Sequence, residues 1–440
     1  MNMLVIGLGS AGDVHPMAGM AVALSRRGHR VRLVAWAGFE PLARRAGLEF
    51  IGLGTEKEHR GALQDPDLWR PYRSFAVVCR GLILPAMRPV YEIVEQHSGT
   101  GATVVVAPAT AFGARIASER LGVPLVTAHL QPSLLRSVHL SPCHGFPDVL
   151  GHLPRPLRRL YWRGVDQFFI DRLLASEVNA FRAELGLSPV RRIFDRWVHS
   201  AHLVLGLFPD WFAPPQPDWP PNVRLTGFPL VGESRSQGPS AELADFLDAG
   251  EAPVVFIAGS ANTQAREYFR VSVEVCRAGG RRGILLTRFP ELLPPRLCEG
   301  VRHFDCVPLS EVLPRAMAVV HPGGIGTVAQ ALAAGAPQLV VPRVHDQTDN
   351  AVRVCRLGVG SRLLPKEYKT GAVLEGLKRL LNSPGVLENC RRRAMDLAGN
   401  TALDEACLVI EQLGGQADRV FAAKRGGRGA LPVSGTANST

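Results

Sequence analysis

The chain has 440 residues, 46% of them hydrophobic and 20% charged, with a formal net charge of +11. That is enough apolar material for a large buried core, and the length calls for two or three domains. No apolar run reaches the ~18 uncharged residues that a membrane helix needs, and no nucleic-acid motif accompanies the basic residues.

The start, MNMLVIGLGS, lacks the basic n-region of a secretory signal and reads as a first strand. A cytoplasmic protein is expected. The basic balance suits anionic ligands or peripheral contact with the inner membrane, although only 5 of the 50 basic residues are lysine, a bias that GC-rich coding also produces. The eight cysteines are scattered without a CxxC pair, so they read as small buried hydrophobes and no metal is expected.

Along the first 130 residues, short apolar runs alternate with helical patterns. Met3–Gly7 and Arg30–Trp36 read as strands, with a helix at Pro16–Arg27 between them; further strands are expected at Ala102–Ala107 and Pro124–Ala128. Strand–helix–strand order with apolar strands predicts a parallel sheet covered on both faces, hence an α/β fold. The stretches from Glu56 to Thr100 and from Leu134 to Phe194 read as helical insertions. Pro209–Pro221 is proline-rich and extended. Residues 231–252 have linker composition, and a second alternating region begins at Val254 and runs to about residue 415. The expected division is thus a first α/β domain over 1–230, a linker over 231–252 and a second α/β domain over 253–415. Residues 416–440, rich in Gly, Ser and Arg, read as a disordered tail.

Gly7-Leu8-Gly9-Ser10-Ala11-Gly12 fits the dinucleotide fingerprint GxGxxG after a strand. Two features argue against NAD. Asp13 would repel the pyrophosphate, and the second strand ends in Ala35-Trp36-Ala37 with no acidic residue for the ribose. The residues alone leave Asp13 as either a general base at the sheet edge or the cap of the following helix, and His15 as either a catalytic or a turn residue.

The strongest signal is His321-Pro322-Gly323-Gly324-Ile325-Gly326-Thr327, between the strand Ala318–Val320 and a helix. Free backbone N–H groups and a helix dipole then converge on one point, an anion site suited to a diphosphate. Thr327 can add a hydroxyl donor and His321 a ring N–H. After the strand Gln338–Val341, Asp346 and Gln347 fall on a loop where sugar hydroxyls can be read.

The order H-x-G-G-x-G-T, G-x-P, D-Q-x-x-N resembles the donor signature of the inverting glycosyltransferases that include plant natural-product, macrolide and glycopeptide enzymes. The resemblance implies two Rossmann-like domains facing each other across a cleft, the GT-B arrangement, with no metal or cofactor beyond the nucleotide-sugar co-substrate. It implies phosphate contact at Gly259-Ser260 and base contact at Val307. It also makes Gly12-Asp13-Val14-His15-Pro16 the motif whose second residue is the catalytic base, which favours catalysis for Asp13. Two positions depart from the pattern. Ala107-Pro108-Ala109-Thr110 stands where many members hold an acidic partner for a histidine base, a partner that Asp13 does not need. Gln330 stands where many UDP-sugar users carry a ribose-binding glutamate, which suits a deoxyribose donor.

The segments GSAGDVHP, DPDLWRPYRSF, RRIFDRWVHS, LFPDWFAPPQPDWP and LTGFPL are similar to the bacterial rhamnolipid rhamnosyltransferases. That resemblance implies transfer of L-rhamnose from dTDP-L-rhamnose to a 3-(3-hydroxyalkanoyloxy)alkanoic acid, and leaves room for docking of an acyl-forming enzyme. The residues add an acceptor reading. Ser74–Val90 is apolar enough to line an acyl groove, with His15, Phe75, Arg73 and Arg80 beside the lipid and Arg70 and Arg88 nearby, or it is an ordinary core helix with solvated arginines. Trp69, Trp211 and Trp219 read as packing residues. Another sugar such as UDP-glucose, another hydrophobic aglycone, and an inactive nucleotide-sugar-binding protein are the alternatives.

Overall fold

Short runs of Val, Leu and Ile bounded by Gly and Pro form thirteen strands among the described residues, and these fall into two parallel sheets. The computed structural model describes residues 1–426 apart from 71–72, 99–102, 146–147, 231–239, 260–261 and 306, with the backbone alone over 417–426. The first sheet comprises β1 (Asn2–Gly7), β2 (Arg30–Trp36), β3 (Glu49–Leu53), β4 (Thr103–Pro108), β5 (Leu125–His129), β6 (Leu203–Gly206) and β7 (Val223–Leu225), in the order 3-2-1-4-5-6-7. The second comprises β8 (Val254–Ile257), β9 (Gly283–Leu286), β10 (Val301–Phe304), β11 (Ala318–His321), β12 (Gln338–Val340) and β13 (Gly360–Arg362), in the order 10-9-8-11-12-13. Both are doubly wound, so each has a crevice where the strand order reverses, between β1 and β4 and between β8 and β11.

Each sheet is buried on both faces. Met3 and Val5 of β1 join one cluster with Met20 and Leu24, while Leu4 and Ile6 join another with Val90 and Phe112. In the second sheet, Val254 and Phe256 point to one layer and Val255 to the other.

Three boundaries differ from the sequence expectation. The first helix begins at Ala11, not Pro16, because Ser10 and Asp13 form a capping box that starts it five residues earlier. Within the expected linker, Ala241–Asp248 is a helix whose Leu243, Phe246 and Leu247 pack on Val255 and Ile284, so it belongs to the second domain; residues 231–239 lie outside the described residues. The last helix, Ala402–Gly426, extends into the expected tail and returns to the first domain. There Ala406, Cys407 and Ile410 are buried against Met3, Val5 and Val104, and Glu411 bonds Arg27 and His29. Residues 427–440 lie outside the described residues.

The insertion at Ser74–Val90 is mostly core. Cys79, Leu82, Ile83, Ala86, Met87 and Val90 are buried, and a Cβ on Gly113 would lie 2.0 Å from the Met87 carbonyl, so two helices touch backbone to backbone there.

The two domains are joined through a shared apolar cluster, in which Phe208, Phe212 and Phe228 meet Val328, Leu332, Val340 and Val354. A buried ion pair within one helix of the second domain reaches across the same boundary through its other hydrogen bonds. Arg353 binds Asp349 at 2.7 Å and donates to the Phe212 carbonyl, while the Cys143 N–H donates to Asp349. Removing one partner of such a pair leaves the other charge buried and uncompensated. Asp349→Ala is therefore expected to cost about 3–5 kcal/mol, read as a lower denaturant midpoint; an unchanged midpoint would mean that the boundary does not depend on this pair.

Candidate active site

Both crevices carry the motif residues. At the end of β1 the chain turns through Gly9 (φ 122°) into the helix Ala11–Arg26. The Ser10 N–H and hydroxyl both donate to Asp13 Oδ2, at 2.8 and 3.0 Å. The N-cap is therefore Ser10, and Asp13, inside the first helical turn, bonds back to it, so the turn holds one of its two carboxylate oxygens. A Cβ on Gly9 would stand 2.4 Å from Asp13 Oδ2, so glycine is required there to make room for the carboxylate. His59 braces the same turn, with Nε2 2.9 Å from the Gly9 carbonyl; because that oxygen only accepts, Nε2 carries the proton. His59 stacks on Trp36 at 5.4 Å. His15 lies half-buried in the second turn of the helix.

At the end of β11, Gly323 has φ 94°, and a Cβ there would collide with Val340 at 2.8 Å and the Gln347 carbonyl at 3.1 Å. Gly324 caps the helix Ile325–Ala334, and a Cβ on Gly324 or Gly326 would meet nothing within 4 Å. The first-turn N–H groups of Ile325, Gly326 and Thr327 have no helical partners, so backbone donors and the positive end of the dipole border open space. Thr327 is half-buried on that turn, and Gln330 is half-buried one turn on, without a hydrogen bond among the described residues. Val307 is half-buried on the loop after β10. Ser260 lies outside the described residues.

His321 does not offer the ring N–H expected of it. The imidazole is fully buried; Nδ1 accepts from the Gly323 N–H at 3.1 Å, and Nε2 then donates to Gln338 Oε1 at 3.1 Å. Burial pushes its pKa down to about 4, so the ring is neutral and braces the glycine turn from behind. Sequence reading missed Gln338 because a strand glutamine announces no partner seventeen residues back.

Asp346 precedes the helix Gln347–Arg356, and Asn350 Nδ2 lies 2.7 Å from its Oδ2 and 2.9 Å from the Gly323 carbonyl. That one amide ties the aspartate loop to the glycine turn. Gln347 Oε1 accepts from the N–H groups of Arg343 and Val344, which leaves its Nε2 without an acceptor among the described residues. Between them, His345 is held at φ 59°, a left-handed conformation that costs a side chain about 1–2 kcal/mol. Arg343 is half-buried and forms no ion pair among the described residues.

The two crevices meet electrostatically. Withdrawal from water raises the Asp13 pKa, against the lowering effect of Ser10. Withdrawal from water also lifts Asp346 to about 7, and the charge of Asp13 adds to that rise. One carboxylate from each domain is thus within electrostatic range of the other. A cavity of about 760 Å³ lies elsewhere, between Pro209–Gly227 and Asp396–Glu405; segments of the rhamnolipid-type resemblance line it, but none of the expected catalytic, donor or acceptor residues does.

The acceptor residues are less gathered. Arg70 and Arg73 both pair with Asp67, and Arg88 pairs with Glu184, so three of the four arginines expected near a lipid carboxylate already have partners. Arg80 is exposed and makes no ion pair among the described residues. Phe75 packs among Phe169 and Phe194, at 5.7 and 5.6 Å. Among the described residues no cluster of His, Cys, Asp or Glu could hold a metal ion, and no helix is long and apolar enough to cross a membrane.

Comparison with known proteins agrees with this geometry. Residues 3–140 match the glycosyltransferase family 28 N-terminal domain, and residues 291–413 match the erythromycin biosynthesis protein CIII-like C-terminal domain. The chain is 31% identical over 439 residues to O-mycaminosyltylonolide 6-deoxyallosyltransferase of Streptomyces fradiae, covering 94% of this chain and 97% of that one. Among solved structures, the kitacinnamycin glycosyltransferase superposes with a TM-score of 0.72 at 20% identity, over 94% of this chain and 98% of that one. The glycosyltransferase VinC in complex with dTDP does so with a TM-score of 0.67 at 18% identity, over 94% and 100%. The chain is a glycosyltransferase of the family 28 and erythromycin CIII-like type, with the GT-B fold.

Proposed function

We propose that this enzyme transfers L-rhamnose from dTDP-L-rhamnose to the hydroxyl of a 3-(3-hydroxyalkanoyloxy)alkanoic acid, giving a mono-rhamnolipid with inversion at the anomeric carbon. The observation that carries the reaction type is that the charge of Asp13 reaches Asp346, whose loop Asn350 ties to the open glycine turn of Gly323–Thr327.

In this mechanism the acceptor hydroxyl gives its proton to Asp13 as its oxygen attacks the anomeric carbon. The bond from that carbon to the diphosphate oxygen breaks, and the leaving group's negative charge is met by the first-turn N–H groups of Ile325–Thr327 and the Thr327 hydroxyl. Preorganised donors of this kind need no rearrangement as charge develops. Asp346 and the Nε2 of Gln347 read the sugar hydroxyls, and Arg343 adds positive charge to a loop that faces an anionic donor. Ser260 and Val307 serve the phosphates and the base. His321 acts by bracing the turn.

A deoxyribose nucleotide is supported by Gln330 in place of an acidic ribose ligand and by a neighbour holding dTDP, and a 6-deoxy sugar by a relative named for one. The lipid acceptor is supported by the rhamnolipid-type segments and by the packing of half-buried Phe75 on the exposed Phe169. A second reading has support of its own: relatives are named for tylonolide and vancomycin aglycones, and with Arg70, Arg73 and Arg88 already paired, the lipid carboxylate is left Arg80. Purified enzyme incubated with a hydroxyacyl acid or a macrolide aglycone, each with dTDP-L-rhamnose or UDP-glucose, separates these by product mass. A rhamnose adduct of the lipid acid is expected; a macrolide or hexose adduct alone would transfer the assignment.

Asp13→Asn is expected to abolish turnover while leaving dTDP affinity unchanged, because an amide cannot accept the proton; retained turnover would remove Asp13 as base. Gly9→Ala should lower kcat by about 100-fold with little change in dTDP binding, since displacing the carboxylate by an ångström spoils the attack geometry.

Asp13 must be ionised to act, and its pKa is raised, so kcat/KM should fall as pH drops through a limb lying above the usual aspartate value of 3.8. Asp13→Asn removes a negative charge that helps hold the Asp346 pKa up and should move the Asp346 titration limb, followed by carboxyl NMR, to lower pH. A limb that stays in place would show that the two carboxylates do not sense each other.

A further inference from the structure

An amphipathic helix in a water-soluble domain normally turns its apolar stripe inward. The segment from Arg155 to Arg172 turns a second apolar edge outward. Leu157, Leu160, Tyr161, Phe168 and Phe169 are exposed, with Leu160 at 65% and Phe168 at 70%, and they make up five of the nine large exposed hydrophobics among the described residues. Leu157, Leu160, Tyr161 and Phe168 follow spacings of three, four and seven, which places them along one edge of the helix Arg155–Val165 and the π turn Asp166–Ile170.

The opposite edge is anchored. Trp162, Asp166 and Ile170 are buried, Asp166 pairs with Arg136 at 2.5 Å, and the Arg136 guanidinium lies 4.6 Å over the Trp162 ring. The buried pair fixes the rotation of the helix, so the outward apolar edge is a consequence of the fold and not of a loose segment.

The same segment is strongly basic toward solvent. Arg155, Arg159, Arg163 and Arg172 are exposed and form no ion pair among the described residues. Its two acidic residues are both engaged inward: Asp166 holds Arg136, and Asp171 accepts from the N–H groups of Arg192 and Ile193.

We infer that this face docks on an anionic lipid bilayer, with Leu157, Leu160, Tyr161 and Phe168 entering the headgroup–acyl boundary and the four arginines meeting lipid phosphates. An interfacial helix has this build: an apolar edge, basic flanks and no long apolar span. Guanidinium groups pair with phosphate oxygens while their stems lie along apolar surface. A second copy of the chain fits less well, because a two-fold contact through this face brings its unpaired arginines against their own copies. Phe169 links the face to the acceptor side of the domain, since its ring packs on Phe75. The docking face stands whether the acceptor is a lipid acid or another aglycone, so either assignment can fail alone.

Vesicle flotation of the full chain tests it, using phosphatidylcholine alone or mixed with phosphatidylglycerol, at low and high salt. The chain should float with the phosphatidylglycerol vesicles at low salt and much less with either neutral lipid or high salt. Leu160→Glu/Phe168→Glu should reduce partition by about tenfold or more with an unchanged melting curve and unchanged turnover of a water-soluble acceptor. Arg159→Glu/Arg163→Glu, which leaves the apolar edge intact, should act through the salt-sensitive part and serves as the second probe should the first variant misfold. Wild-type chain that stays in the soluble fraction would overturn the inference, as would variants that float equally well. A dimer that the Leu160→Glu/Phe168→Glu change dissociates would assign the face to self-association instead.

Discussion

Two carboxylates from different domains, held away from water and within reach of each other's charge, set the constraint on which the rest of the site depends. Neither gains from the proximity: Asp346 is lifted to about 7, partly by Asp13. The arrangement persists because each side chain is fixed from behind, Asp13 by Ser10 and Asp346 by Asn350. In the proposed mechanism Asp13 meets the acceptor hydroxyl and Asp346 the sugar hydroxyls, so their mutual repulsion is of the kind that bound substrates relieve.

Holding that cleft requires that the two domains be locked at a set distance. Three separate devices act at the boundary: the phenylalanine cluster of Phe208, Phe212 and Phe228, the Asp349–Arg353 pair reaching the Cys143 and Phe212 backbone, and the last helix returning to β1 through Ala406, Cys407 and Ile410. Asp349 and Asn350 are adjacent. The residue that clamps the domains and the residue that ties the aspartate loop to the glycine turn therefore share one helical turn, and movement of the domains would be felt directly at the Asp346 loop.

The glycines of this protein divide by what surrounds them. Gly9 and Gly323 stand where a side chain would strike Asp13 or the Gln347 backbone, whereas Gly324 and Gly326 border open space at a helix N-terminus. The first pair is needed to build the protein's own site. The second pair leaves backbone donors uncovered, which is what an anionic leaving group needs.

Much of this was legible from the chain alone. The apolar runs at β1, β2, β8, β11 and β12 are continuous because both faces of a parallel sheet are covered, and the turns following β1 and β11 are marked by glycine because only glycine tolerates those torsions and contacts. Those local signals were sufficient to place Asp13, the glycine turn and Asp346 at sheet edges, and the resemblance of their motifs to a donor signature indicated a glycosyltransferase. Tertiary structure decided what depends on distant partners. Whether His321 faces a phosphate or the strand behind it turns on Gln338; whether Arg73 is available turns on Asp67; whether Ser74–Val90 lines a groove or fills a core turns on Gly113 and the helix it brings close. The return of the last helix and the outward edge of Arg155–Val165 were likewise hidden, because an amphipathic pattern states that two faces differ and leaves to the packed fold which of them meets water.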